Sequence, residues 1–226
     1  MVIAFAGQKG GSGKTTTAVA VAAELVKRGR RVLLVDADPQ GSARTWAEVA
    51  QENNQPAPTV VAMGANMHKP EQLPRLAEGY DVVLIDTPPR MGDVQRSALM
   101  VADVVVLPCG PSAVDAWALT ESVELVAKAK IYRPELKVVG LITRKVANTA
   151  IGKGARQVLE QTNLKVLSSE LHYRVGYQES LAVGKGPSTY EPESVAAKEV
   201  GALVDELAAV AAIAITTPEA KELAHG

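Results

Sequence analysis

Gly7-Gln8-Lys9-Gly10-Gly11-Ser12-Gly13-Lys14-Thr15-Thr16 is the stretch on which the fold turns. The apolar run Val2–Ala6 precedes it and a helical pattern from Lys14 to Arg28 follows at once, so it reads as strand, glycine loop, helix. Glycines let consecutive backbone N–H groups turn inward around phosphate oxygens, and the helix N-terminus adds partial positive charge. In such a loop Lys14 reaches the β- and γ-phosphates of a nucleotide and the Thr15 hydroxyl holds Mg2+. The spacing departs from G-x-x-x-x-G-K-[ST]: Gln8 stands where the first glycine belongs, and an additional lysine, Lys9, follows it.

Outward from this loop, short β-branched runs alternate with longer helical patterns, the mark of βαβ units. The runs are Val2–Ala6, Val32–Val35, Thr59–Ala62, Val82–Ile85, Val104–Leu107 and Val138–Thr143. They are apolar throughout, as expected of strands covered on both faces. Helical patterns fall near Lys14–Arg28, Ser42–Glu52, Glu71–Glu78, Val94–Met100, Ala113–Tyr132, Ile151–Gln161 and Val195–Ala214. The prediction is an α/β fold, a mostly parallel twisted sheet with helices on both faces. Pro56–Pro58, Pro88–Pro89 and Pro108–Pro111 punctuate strand ends rather than link domains. A single domain over 1–226 is expected, its last dozen or so residues a tail.

The 226 residues are 47% hydrophobic and 22% charged, with mean hydropathy +0.05, an ordinary globular composition. A single cysteine, Cys109, excludes an intrachain disulfide and a cysteine-rich zinc cage, in keeping with a reducing cytoplasm; it is expected to be a small buried hydrophobe. No basic segment precedes the first apolar run, so the N-terminus does not read as a secretory signal. The longest apolar tract near the C-terminus, Leu203–Ile215, is interrupted by Asp205 and Glu206, and no membrane span is expected. Net charge −1 and pI near 6.3 give no global field for nucleic acid, so any such binding must come from a local patch.

The glycine loop with its early lysine resembles that of the ParA/MinD family of deviant Walker-A ATPases, whose loop is KGGxGKT. Leu33-Leu34-Val35-Asp36-Ala37-Asp38-Pro39-Gln40 is similar to the LLVDxDPQ segment of ParA proteins, and Val82-Val83-Leu84-Ile85-Asp86-Thr87-Pro88-Pro89 is an apolar strand ending in a Walker B aspartate. The resemblance implies MgATP as cofactor and slow hydrolysis to ADP and phosphate. It implies a homodimer sandwich in which Lys9 crosses to the partner's nucleotide, so the implied catalytic residues are Lys9, Lys14 and Asp38. Asp38 positions the attacking water, while Asp36, two residues back and on the same side of its strand, supports Lys14 or the metal shell. Lys9, Gly10, Gly11, Ser12, Gly13, Lys14, Thr15, Thr16 and Asp36 form the expected nucleotide set, joined by Arg144 at the adenine end. Mg2+ falls to Thr15 and Asp86.

Between Arg144 and Tyr190 there are seven Lys/Arg against three acids. ParA relatives bind DNA without sequence preference through basic residues in this half. The resemblance therefore points to Arg174, Lys185, Lys153 and Arg156, in a cytoplasmic, nucleoid-associated protein that positions a plasmid, chromosome or protein cluster. A ParB-like or adaptor protein would stimulate its hydrolysis. With the first strand read at Val2–Ala6, no helix-turn-helix is expected ahead of it. Two other readings stand beside this one. A MinD-like positioner would dock on membrane through a basic amphipathic C-terminal helix, but Lys221 is the sole Lys/Arg from Leu203 onward. An ATP-dependent metabolic synthetase would carry a second-substrate signature, and none is recognisable.

Overall fold

The computed structural model describes residues 1–90, 92–162 and 164–211, and of residues 113, 151, 153, 155 and 158 the backbone only. In chain order the elements are β1 (Val2–Phe5), α1 (Lys14–Lys27), β2 (Val32–Asp36), α2 (Ser42–Glu52), β3 (Thr59–Ala62), α3 (Leu73–Ala77), β4 (Val82–Asp86) and α4 (Gly92–Val101). There follow β5 (Val104–Cys109), α5 (Ala113–Tyr132), β6 (Lys137–Lys145), α6 (Ala150–Glu160), β7 (Lys165–His172), α7 (Val175–Ala182), α8 (Pro187–Tyr190) and α9 (Val195–Ala211). The seven strands form one sheet in the order β3-β2-β4-β1-β5-β6-β7. Every pairing is parallel, where the sequence predicts only a mostly parallel sheet.

Alternate residues of each strand enter opposite cores, which is why the strands read as unbroken apolar runs. Ile3 and Phe5 of β1, with Leu34, Leu84 and Val106, pack under α1, α2 and α9. Ala4, with Leu33, Val35, Val83, Ile85 and Val105, packs under α4, α5 and α6. Helix α1 is apolar on nearly all sides, and Ala18 to Ala23 are each at most 3% exposed, as expected of a helix enclosed by protein.

The unpredicted elements are β7, α7 and α8. Strand β7 carries Ser168, Ser169 and Glu170, and of its residues only Leu167 and Leu171 are fully buried, while Val166 packs half-buried on the opposite core. It lies at the sheet edge with irregular register against β6, so neither a continuous run nor a clean alternation marks it. Residues 212–214 of the expected last helix, and the expected tail, lie outside the described residues.

Candidate nucleotide site

Parallel strands bring their carboxyl ends to one edge, where ligands of open α/β sheets bind. The glycine loop leaves the end of β1, and its immediate neighbour β4 ends in Asp86, paired in register with Phe5. Asp36, the last residue of β2, is in turn the register partner of Asp86. The topology thus places two carboxylates side by side below the loop.

Gly11 and Gly13 have φ of +71° and +92°, left-handed angles that cost a glycine little. They let the loop curl before α1 starts at Lys14. Thr143, near the end of β6, braces it by donating to the Ser12 carbonyl at 2.8 Å. Lys14 is 6% exposed, and its Nζ donates to the Lys9 carbonyl at 2.9 Å. Burial pulls the Lys14 ammonium below its usual pKa, and Asp86 and Asp38 oppose that pull.

Asp86 is fully buried, and neither of its carboxylate oxygens has a well-formed hydrogen-bond partner among the described residues. Burial pushes its carboxyl up to about 7; the nearby Thr15 side chain lowers it, Asp36 raises it and Lys14 lowers it. Asp36 is spoken for. Its Oδ1 accepts from the Asp38 N–H at 3.2 Å and its Oδ2 from the Arg44 N–H at 3.0 Å, in the first turn of α2. Both oxygens serve backbone groups, and no hydrogen bond to Lys14 is formed. Asp38 is half-buried and takes the Gln40 N–H at 2.9 Å.

Ser12 Oγ and Arg144 Nε are also buried without hydrogen-bond partners among the described residues. An unpartnered buried polar atom is costly, and here four such atoms, the two of Asp86 included, gather around one loop. The set suits a nucleotide and its metal: a carboxylate and the Thr15 hydroxyl for Mg2+, with backbone N–H groups and Lys14 for phosphates. Arg144, at φ +53°, lines a cleft with Gly11, Gly13, Thr16 and Tyr177.

Lys9 turns away from its own phosphate loop. Its Nζ pairs with Asp115 Oδ1 at 2.7 Å, with the lysine side chain 32% exposed, and Arg144 Nη2 reaches the same oxygen at 3.0 Å. Burial works against the charge of Asp115, yet Lys9 and Ser112 hold its carboxyl below the usual range. Sequence reasoning missed Asp115. Its available signal was Ser112-Ala113-Val114-Asp115, a capping box that opens α5.

The proposed DNA residues are largely engaged elsewhere. Arg174 donates to Glu199 at 3.0 and 2.7 Å, and Arg156 pairs with Glu170 at 3.0 Å, which Lys145 also contacts. The side chain of Lys153 lies outside the described residues. Lys185 is half-buried and forms no ion pair among the described residues. The excess of seven bases over three acids overstates the free positive charge, because Glu199 and Asp115, which neutralise Arg174 and Arg144, lie outside the counted window.

Among the described residues no helix is long and apolar enough to cross a membrane. Residues 3–187 match the CobQ/CobB/MinD/ParA nucleotide binding domain. The chain is 30% identical to the Maintenance of carboxysome distribution protein A of Halothiobacillus neapolitanus, over 91% of this chain and 95% of the relative. It is 31% identical to the chromosome-partitioning ATPase Soj of Thermus thermophilus, over 92% and 95%. Among solved structures it superposes on apo McdA of Cyanothece with TM-score 0.74 at 18% identity, covering 91% of this chain and 98% of that one. The Mg-ADP complex of Pyrococcus horikoshii MinD gives 0.69 at 18%, covering 91% and 95%. With its deviant loop, its paired aspartates and these relatives, the chain belongs to the CobQ/CobB/MinD/ParA nucleotide-binding family and is a ParA/MinD-family ATPase.

Proposed function

We propose that this ATPase is a ParA-type positioning protein: it binds MgATP, pairs with a second copy around the nucleotide, binds DNA without sequence preference, and releases it on hydrolysis stimulated by a ParB-like or adaptor protein. The observation that carries the reading is the placement of Lys9. A lysine meant for its own nucleotide would point into its own loop, whereas this one stands partly exposed, held by Asp115 of α5. The names of the relatives support the cargo side of the reading, since they concern carboxysome distribution and chromosome partitioning.

Each residue then has a separable duty. The loop N–H groups and Lys14 bind the phosphates, Lys14 exchanging its bond to the Lys9 carbonyl for them. Thr15 and Asp86 would hold Mg2+, which supplies charge neutralisation between the phosphates. Asp38 orients the attacking water and accepts its proton. Lys9 leaves Asp115 to complete the partner's site, and Arg144 keeps that carboxylate compensated. For DNA, Lys185 is the surface cation to test first, because Arg174 and Arg156 are tied to carboxylates.

Light scattering with ATP tests the pairing, using Asp38→Ala to arrest turnover. The expected result is a doubled mass for Asp38→Ala and a monomer for Lys9→Ala/Asp38→Ala. A dimer that persists without Lys9 removes the trans role. Filter binding of random duplex DNA tests the carrier reading, which fails if ATP brings no retention at low salt.

A further inference from the structure

Gln95, on α4, is a wholly buried amide with no part in the expected site. Its Nε2 donates to the Gly7 carbonyl at 3.2 Å and to the Pro88 carbonyl at 2.7 Å, and its Oε1 accepts from Gln8 Nε2 at 3.3 Å. Gly7 lies two residues before Lys9; Pro88 lies two residues after Asp86. One side chain therefore joins the start of the phosphate loop to the segment leaving the metal carboxylate. Below this link, Thr87 joins the same two strands by donating its hydroxyl to the Phe5 carbonyl at 2.9 Å. Above it, the Gln8 N–H is fixed on Ser122 of α5 at 3.1 Å.

We propose that Gln95 is a positioning residue for hydrolysis: its amide clamps the phosphate loop to the segment after Asp86, so that nucleotide seated in the first holds the second in register. The role follows from the amide's geometry. A primary amide has two N–H donors about 120° apart, and here they span two loop carbonyls that no strand pairing links. The loop N–H groups and Lys14, which hold the phosphates, do not depend on that bridge. The relative placement of Asp86 and the phosphate loop does, and misplacement of reacting groups costs rate more than affinity.

The proposal uses the ATPase site and neither the DNA nor the dimer reading, and hydrolysis by the parent protein is the control that separates them. The test is Gln95→Met, which keeps the volume and removes all three hydrogen bonds. Single-turnover hydrolysis is expected to slow roughly tenfold or more, with the ATP dissociation constant within about threefold of the parent's. Unchanged turnover overturns the proposal, and so does a rate that falls only in step with affinity. If Gln95→Met does not fold, amide exchange on the unaltered protein decides. ADP with a chelator is expected to slow exchange in peptides spanning 86–96 together with those spanning 8–16. Protection confined to 8–16 overturns the clamp.

Discussion

The carboxyl ends of β1, β2 and β4 and the outer strands β6 and β7 are both rich in charge, but they treat it in opposite ways. At the outer strands the carboxylates are met by donors: Glu170 takes Lys145 and Arg156, Glu199 of α9 takes Arg174, the His172 ring and the Tyr177 hydroxyl, and Glu206 of α9 takes the Ser168 and Ser169 N–H groups. Burial opposes the charge of Glu170, and the two cations still hold its carboxyl below the usual range. At the loop, the Asp86 carboxylate is buried with no well-formed hydrogen bond among the described residues, and burial pushes it up to about 7 although the Thr15 side chain and Lys14 oppose that. Charge satisfied by the protein supports the fold, and charge left unsatisfied is kept for something that arrives. Function is therefore to be sought where the pairing is incomplete, and the densest run of Lys and Arg is a poorer guide.

The largest effect that tests this contrast is expected at Lys14. Lys14→Ala removes the main side-chain cation from a loop otherwise made of backbone donors, and ATP affinity should fall about a hundredfold or more by isothermal titration. Affinity within a few-fold of the parent's would break the assignment of the loop. Asp38→Ala comes next, with ATP affinity kept and turnover lowered on the order of a hundredfold in a phosphate-release assay. Near-normal turnover would reduce Asp38 to the turn it makes with Gln40.

Asp86 gives the comparison a pH axis. Between the ordinary carboxylate range and about 7, the folded state keeps a proton that the unfolded chain has lost, so stability falls as pH rises through that window. Asp86→Asn should therefore be more stable than the parent at pH 8, on the order of 3 kcal/mol, with the gain vanishing near pH 4 and Mg2+-dependent hydrolysis lost. Melting temperatures across pH 4 to 8 test the sign, and an asparagine variant less stable at pH 8 would contradict it. The smallest effects belong to the outer strands. Arg174→Ala should cost stability of about 1 kcal/mol, discounted for its partial exposure. Lys185→Ala should leave stability unchanged and lower the salt slope of DNA binding by about one. The reverse pattern would show that Arg174 is the DNA ligand.

What the sequence disclosed follows the same divide. The strands β1, β2, β4 and β5 are buried on both faces, so each announces itself as an apolar run, and the glycine loop and its aspartates follow from adjacency to those runs. The partners of the site residues were hidden for a topological reason. Asp115 meets Lys9 across 106 positions, and Gln95 meets Gly7 across 88, distances at which no local pattern speaks. Strand β7 was hidden because it is an edge strand that fully buries only Leu167 and Leu171. The paired state of Arg174 was hidden because Glu199 belongs to α9, beyond the window in which its charge was counted.

Helix α1 begins at the lysine that meets the phosphates and then passes through the middle of one core, with Ala18, Ala20, Ala22 and Ala23 all but sealed from solvent. Small residues there leave room for strands on one side and for α8 and α9 on the other, and an added methylene has nowhere to go. In a saturation mutagenesis map the helix should therefore form a stripe of intolerance as dark as the glycine loop, for a different reason. A screen scored by ATP turnover would mark both segments. A screen scored by cellular abundance would mark the helix and pass over the loop, dividing a single contiguous stretch of sequence at Lys14 into the part that does the chemistry and the part that keeps the protein present to do it.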